Sequence, residues 1–539
     1  MEAKYKEYKK LDLSGLGKEI QEFWEKNNIF DKSLELRKGH KPWVFYEGPP
    51  SANGLPGIHH VMARAIKDIF CRYRTQKGYF VGRKAGWDTH GLPVEIGVEK
   101  ILGITKEDIG KTISIADYNK ACRKDVMKYK DTWDDLTRKM GYWVDLSDPY
   151  ITFENKYIET VWHLLSRLYE KGLLYKGYSI QPYSPAAGTG LSTHELNQPG
   201  CYKDVKDNSL TAQFKIIKNK ESEFLFDKEI DTVHLLAWTT TPWTLPSNTG
   251  LAVGKNIDYL KVVTYNQYTF EKIVVVIAKE LLPKFFDPNS AELKLEDYKE
   301  GDKKIPYKII DSFKGSKLEN IRYEQLMPYA QPETGDSFRV VLGDFVTTEE
   351  GTGIVHIAPS FGADDYKVGK QYNLGSLTMV NKQGKFIDQM GEFAGRYVKT
   401  EYDPDYDPKT QRPVDVDIII KLKHENKAFK SEKYEHSYPH CWRTDKPILY
   451  YPLDSWFVRT TELKERMIEL NKTINWKPES TGIGRFGNWL ENLQDWNLSR
   501  SRFWGVPLPV WTTEDKEEQI CIGSVKQLKE EIQKAVDKG

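Results

Sequence analysis

Hydrophobic positions in this chain repeat with two different periods, and the change from one to the other falls near residue 190. Residues 13–28 carry Ile20, Phe23 and Trp24 on one face at helical spacing. Residues 42–95 read strand, loop, helix, strand, loop, with an apolar strand at 43–46, as a parallel α/β unit would. Residues 106–175 hold long helical patterns, among them 157–174 with Ile158, Val161, Leu164, Leu165 and Leu168 in register. Beyond residue 190, short β-rich runs alternate with turns at 210–214, 232–238, 251–253, 259–263, 273–278 and 338–342. That pattern predicts a separate β-rich domain inserted into the α/β one. A polar, proline-containing connection follows at 403–416, after which helical and strand patterns resume. No internal repeat is visible.

Composition refines this picture only a little. A chain of 539 residues exceeds one core and predicts about two to four domains. At 39 % hydrophobic and 29 % charged it has ordinary globular composition. The net charge of +1 gives no global basic signature, so any nucleic-acid surface must be local. Cys71, Cys122, Cys201, Cys441 and Cys521 are odd in number and scattered, which argues for a reducing compartment. Residues 273–278, the best apolar run, have strand length, well short of the ~20 residues of a membrane span. Residues 1–10 are charged and lack a signal-peptide apolar region. A cytoplasmic protein with no membrane contact, and a monomer, is the expectation.

Candidate chemistry gathers in four segments. Residues 47–60 form a Gly/Pro-rich turn ending in His59 and His60, where a basic helix begins. A helix N-terminus offers free N–H groups and positive dipole to a phosphate. Taken alone, such a turn is most often just a turn. About 25 residues on comes Gly86-Trp87-Asp88-Thr89-His90-Gly91-Leu92-Pro93-Val94-Glu95. In the β-rich region, Thr239-Thr240-Thr241-Pro242-Trp243-Thr244-Leu245-Pro246-Ser247-Asn248 packs hydroxyl and amide groups around a rigid turn. Residues 351–365 then run from a glycine turn through a strand with His356 to the acidic pair Asp364 and Asp365. Read singly, the last two are equally well a Thr-rich strand end and a surface acidic pair.

In this order the four segments resemble the class I aminoacyl-tRNA synthetases, in their isoleucyl branch. The resemblance implies a Rossmann-type nucleotide-binding catalytic domain interrupted by an inserted β-rich editing domain, an α/β fold. It places the first part of the catalytic domain, with its N-terminal helix, at 1–190, the editing domain at 191–400, a connecting segment at 401–460, and the truncated start of the second catalytic part at 461–539. It implies ATP-dependent activation of isoleucine to isoleucyl-adenylate and transfer to tRNA(Ile), with ATP, accompanied by Mg2+, as a substrate. Gly48, Pro49, Gly57 and Asp88 would border isoleucine and adenylate, with Asp88 on the amino group. His59 and His60 would be the catalytic donors to phosphate, as groups that follow developing charge.

The editing pocket implied by the same resemblance would hydrolyse valine wrongly attached to tRNA(Ile). Asp365 would hold the substrate ammonium. Thr239, Thr240 and Thr241 would line the side-chain space and position water. His356 and Asn248 would bond the ester region or terminal ribose, and Trp243 would pack a wall. Water attack aided by positioning is implied, since no covalent constellation is present. The need is physical: one methylene is worth only about 1–3 kcal/mol, a figure for which isoleucine against valine is itself the standard case.

Three departures from the family pattern stand out. The usual His-x-Gly-His is here Gly57-Ile58-His59-His60. This exchange implies altered nucleotide geometry, with His59 supplying the donor lost at Gly57, and weaker binding of adenylate-like inhibitors, a route to antibiotic resistance. Ser184, Ala187 and Thr444 stand where zinc cysteines of many relatives stand, and Cys441 with His436 and His440 is a poor zinc set, so no metal is expected. No Lys-Met-Ser-Lys-Ser loop follows residues 499–507, nor an anticodon-binding domain, so an N-terminal portion of a longer enzyme is expected. The competing readings are another branched-chain synthetase, against which both the Thr239 and Gly86 segments count, and a free-standing tRNA-editing or tRNA-binding protein.

Overall fold

The computed structural model describes residues 10–539, apart from the side chains of Thr193 and His194. The charged stretch at residues 1–9, read above for a signal peptide, lies outside the described residues. The chain forms two compact units. The first takes in residues up to Tyr175 together with Val458–Asp495 and Arg502–Gly539, and the second is Lys176–Phe457 with Trp496–Ser501. The second unit thus also contains residues 401–457, read above as a connection.

The first unit is built on helices around a small parallel pair of strands. Lys84–Trp87 pairs with Asp145–Ile151, with Gly86 opposite Tyr150. A side chain at Gly86 would run into the Tyr150 ring, so glycine permits this close approach. The helix Ile58–Gln76 has no internal Gly or Pro and starts after Gly57, whose backbone is extended. It buries Arg64, Cys71 and Thr75, while Ile58, Met62, Ile66, Ile69 and Tyr73 stay open to solvent. Gly91, at a φ of 116°, turns the chain into the helix Leu92–Leu102, with Pro93 in its first turn. Residues 43–46 are not a strand: Trp43 donates its N–H to the Phe80 carbonyl, and the Phe80 N–H goes to Lys41. Apolar residues there have strand propensity but no neighbouring strand to complete a ladder. Three helices, Ile115–Val126, Lys130–Lys139 and Asn155–Glu170, fill the stretch expected to be helical, interrupted by the strand Asp145–Ile151.

Chain returning after the second unit is fastened to the first unit by one carboxylate. Glu95 is buried, and its Oε1 accepts from the N–H groups of Phe503 and Trp504 at 2.9 and 3.0 Å. Arg502 Nη1 lies 3.2 Å from Oε2. The Trp504 indole donates to the Thr89 carbonyl at 2.6 Å and packs in a core with Val94, Val98, Tyr118 and Val126.

The second unit is organised by a nine-stranded sheet. Its main path runs Lys308–Lys314, Asp258–Tyr265, Lys272–Ala278, His234–Thr239, Ile354–Ile357, Gly250–Val253 and Arg339–Leu342. Tyr202–Lys215 pairs antiparallel with both His234–Thr239 and Ala428–Pro439. All six runs expected as strands are strands. Residues 273–278 show why that run is apolar throughout. Ile273, Val275 and Ile277 bury in one core, and Val274, Val276 and Ala278 in the other. A strand covered on both faces needs no alternation.

One strand of this sheet serves three neighbours. His234–Thr239 has Tyr202–Lys215 along one edge. On its other edge, His234 and Leu235 pair with Val275 and Val276, whereas Trp238 pairs with Val355. The sheet therefore forks at Trp238.

Candidate functional site

Two cavities contain chemistry, one in each unit. The cavity of the first unit, about 340 Å³, is lined by residues of the Gly/Pro turn, including Gly48, Pro49, Asn53 and Gly54, and by His60, Arg64, Lys67 and Trp133. The turn is held open from outside. Trp133 Nε1 donates to the Gly54 carbonyl at 2.9 Å, Tyr129 N–H to Ala52, and Asp88 N–H to Pro50. Glu47 is anchored by Lys67 Nζ at 3.0 Å and by the Tyr142 hydroxyl at 2.5 Å.

His60 sits in the first turn of its helix, and its Nδ1 accepts the Gly57 N–H at 2.9 Å. That bond leaves the proton on Nε2, so the ring presents a donor on its other side. Burial, with lesser effects from His59 and Arg64, lowers its pKa below the ordinary histidine value. His60, Arg64 and Lys67 share one helix face at i, i+4, i+7 spacing. This spacing is visible in the sequence, and it is the signal by which Arg64 and Lys67 were there to be found. Of the residues expected here, Gly48, Pro49 and His60 line the cavity, while Gly57, His59 and Asp88 do not. His59 is exposed, its ring 3.8 Å from that of His60 and tilted 43° to it.

The cavity of the second unit, about 330 Å³, opens where the sheet forks. Trp238, Thr239, Thr240, Thr241 and Thr244 form one wall, residues 350–356 another, and Ala358, Phe361 and Asp365 a third. Gly353, at a φ of 74°, lies against Ala278, so a side chain there would collide. The fully buried turn Pro242–Ser247 carries Thr244, and Thr239, Thr240 and Thr241 lead into it.

A hydrogen-bonded chain stands behind that wall. The Tyr323 hydroxyl donates to Asn248 Oδ1 at 2.7 Å. Asn248 Nδ2 reaches the Gly250 carbonyl at 2.8 Å and His356 Nδ1 at 3.3 Å. His356 Nε2 meets Thr244 Oγ1 at 3.0 Å, and Thr244 donates to the Thr241 carbonyl at 2.8 Å. With Asn248 donating, Nδ1 is an acceptor and Nε2–H points at Thr244. Burial pushes the His356 pKa down to about 4, so the ring is neutral.

Asp365 sits in the first turn of the helix Ala363–Gln371, and its Oδ2 accepts the Ala358 N–H at 2.8 Å. Burial pushes its pKa up to about 6, against the pull of that N–H. It remains a carboxylate at neutral pH. The structure thus brings Thr239, Thr240, Thr241, His356 and Asp365 around one space. Trp243 lies one layer back, its ring against Phe361 at 5.2 Å, and Asn248 lies behind His356. Thr244, Phe361 and Glu350 join the lining without having been singled out in the sequence.

At the two places read above for zinc cysteines, Ser184 Oγ accepts the Ala187 N–H at 3.2 Å, and Cys441 is buried. Among the described residues no cluster of three His, Cys, Asp or Glu side chains is arranged to hold a metal. No helix among them is long and apolar enough to cross a membrane.

The chain is 61 % identical over 555 aligned residues to the isoleucine–tRNA ligase of Cytophaga hutchinsonii, covering 99 % of this chain and 49 % of that protein. It is 60 % identical over 565 residues to that of Bacteroides fragilis, covering 100 % and 49 %. The chain therefore spans about half the length of the curated relatives it matches. A solved LeuRS–tRNA–LeuAMS ternary complex from Agrobacterium radiobacter K84 is 14 % identical, over 94 % of this chain and 51 % of that one, with a TM-score of 0.34. The model of the family described as tRNA synthetases class I (I, L, M and V) matches residues 19–538. With both motif-bearing cavities inside that match, this chain belongs to the class I tRNA synthetases.

Proposed function

We propose that this chain serves isoleucine–tRNA ligation: activation of isoleucine with ATP to isoleucyl-adenylate, transfer to tRNA(Ile), and hydrolytic removal of valine wrongly attached to that tRNA. The isoleucine assignment is supported by the names of relatives about 60 % identical to it. The editing reading is carried by one observation: the Asp365 carboxylate and the hydroxyls of Thr239, Thr240 and Thr241 surround a single space of about 330 Å³.

In the first unit, the open Gly/Pro turn, the His60 donor and the Arg64 guanidinium suit a phosphate of ATP, while Lys67 is paired with Glu47. The isoleucine carboxylate attacks the α-phosphate, and pyrophosphate leaves with the bond to its oxygen. Donors that tighten on the crowded phosphorus lower that barrier. Asp88, at the exposed end of its strand, is the candidate for the isoleucine ammonium.

In the second unit, Asp365 pairs with the ammonium of the valyl ester. A water held by the threonine hydroxyls adds to the ester carbonyl. The bond to the terminal ribose oxygen breaks, that oxygen takes one proton of the water, the other passes to solvent, and valine leaves as its carboxylate. His356 acts here by shaping the wall, because its Nε2–H is committed to Thr244. Discrimination there requires that the pocket admit valine and oppose the extra methylene of isoleucine.

The test offers valyl-tRNA(Ile) and isoleucyl-tRNA(Ile) to the chain and to its Asp365→Ala variant. Selective loss of the valyl ester, absent in the variant, is the expected result. Equal hydrolysis of both esters, or an unaffected variant, removes the editing assignment. ATP–pyrophosphate exchange with isoleucine, leucine and valine separately tests the amino acid, and preference for either of the others overturns the isoleucine reading.

A further inference from the structure

We propose that Asp415 is a positioning residue for ester hydrolysis in the second unit, fixing the threonine wall of the cavity from behind by holding the backbone N–H of Trp243. The proposal rests on the editing reading of that cavity.

The turn Pro242–Ser247 begins with N–H groups that a short helix cannot satisfy internally. At Trp243 the missing acceptor comes from far along the chain: its N–H donates to Asp415 Oδ1 at 2.8 Å, across 172 residues. Asp415 occupies the first turn of the helix Val414–His424, where the helix dipole favours a carboxylate. Only 6 % of it is exposed. A hydrogen bond between a carboxylate and a buried N–H is among the stronger ones a protein makes.

What this bond holds is chemically pointed. Thr241 and Thr244 flank Trp243, and both line the cavity. Thr244 in turn fixes His356, and the Trp243 ring backs Phe361, which lines the cavity too. One carboxylate therefore locks the backbone from which two walls take their positions. Asp415 does not itself line the cavity. A direct role as base is thereby excluded, and positioning is what its geometry can supply.

The surroundings of Asp415 are also built. Lys399, 7 % exposed, lies near it and bonds Asp207 Oδ2 at 2.8 Å. His436 Nε2 approaches the same Asp207 oxygen at 3.2 Å, and Lys399 Nζ sits 4.6 Å from the Tyr438 ring. Asp207 and Glu401 act on Asp415 as like charges. Burial pushes its pKa up to about 7, with Lys399 opposing the rise. A buried acid this costly to ionise, beside a lysine and gripping a turn, is more than is needed to close a helix end.

The experiment measures kcat and KM for valyl-tRNA(Ile) hydrolysis by the full chain and by its Asp415→Ala and Asp415→Asn variants, with pH profiles and amide exchange at Trp243. Alanine removes the acceptor, while asparagine keeps an oxygen and discards the charge. The expected result is a fall in kcat of ~10–100-fold in Asp415→Ala, with KM within about twofold because Asp365 is untouched. Asn should restore most of kcat with an unchanged pH profile, and exchange at Trp243 should quicken only in Ala. Three results overturn the proposal: an unaffected Ala variant, an Asn variant as poor as Ala with an altered pH profile, or a rise in KM alone. If Ala does not fold, Asn together with Trp243 exchange decides the matter by the same criteria. Absence of selective hydrolysis in the wild-type chain instead removes the editing reading, and this proposal with it.

Discussion

The imidazole of His59 lies over the Cα of Gly57. A Cβ built at position 57 would stand 2.8 Å from His59 Cε1 and 3.0 Å from its Nδ1. The two positions are therefore in contact: with the His59 ring in this place, a side chain at 57 would make it move.

Gly57→Ala should consequently be costly by about 1–2 kcal/mol through overpacking, and the cost should vanish in the double variant Gly57→Ala/His59→Ala. Gly57 has an extended backbone, with a φ of −109°, that alanine accepts, so backbone strain does not confuse the reading. Urea unfolding of the four proteins in the cycle gives the coupling. A coupling within about 0.3 kcal/mol of zero would show that His59 moves aside freely.

Gly362 makes a similar demand in the second unit. A Cβ there would come within 2.6 Å of Asp365 Cγ and 2.9 Å of both carboxylate oxygens. With a φ of −139°, alanine fits the backbone, so the group displaced is the carboxylate. Gly362→Ala should lower valyl-ester hydrolysis by ~10–100-fold and cost about 1–2 kcal/mol of stability through overpacking and the disturbed Ala358 bond. Retained hydrolysis would mean that the Asp365 carboxylate does not need its present place.

The chain from Tyr323 through Asn248 and His356 to Thr244 should behave cooperatively. Tyr323→Phe and Thr244→Val each leave a buried polar partner unsatisfied, at about 1–3 kcal/mol. Together they should cost less than the sum, by about 1 kcal/mol, because the second break finds the row already loosened. Strict additivity in chemical denaturation would show that the two ends are independent.

Buried ionisable groups in the second unit pull stability in opposite directions with pH. Burial pushes His234 and His356 down to about 4, so each contributes stability that is whole above the unfolded value of 6.5 and is lost as pH falls toward 4. Asp365 and Asp415, raised to about 6 and about 7, contribute stability that is whole below 3.8 and is lost as pH rises through those values. The two sets offset one another between pH 4 and 6.5. His234→Gln removes one member of the first set. On going from pH 6.5 to 5, the variant should lose about 2 kcal/mol less than wild type, at about 1.4 kcal/mol per pH unit for one proton. Equal losses in urea titrations would place His234 in contact with water.

The sequence made some of this legible and hid the rest for definable reasons. Residues 273–278 announce a strand because both their faces are buried, and the helix at His59 and His60 begins where the turn ends. The run at 43–46 misleads, because apolar propensity says nothing about whether a partner strand exists. The fork at Trp238 is a fact of pairing, set by which halves of one strand meet which neighbours, and no local pattern encodes it. Asn248 is recognisable as polar chemistry, but its place behind His356 depends on Tyr323, 75 residues away. Asp415 is invisible for a related reason: its partner is a backbone N–H, which every residue but proline has.

Glu95 has a consequence for the order of assembly. The N–H groups it accepts belong to residues 408 and 409 positions further along the chain. Between them lies all of the second unit, Lys176–Phe457 and Trp496–Ser501. On a ribosome adding about 5–20 residues each second, the forked sheet is fully synthesised while Glu95 still waits for its donors. Until then the core of Val94, Val98 and Tyr118 lacks Trp504 and Glu95 lacks both N–H donors, so the first unit is the later of the two to lock.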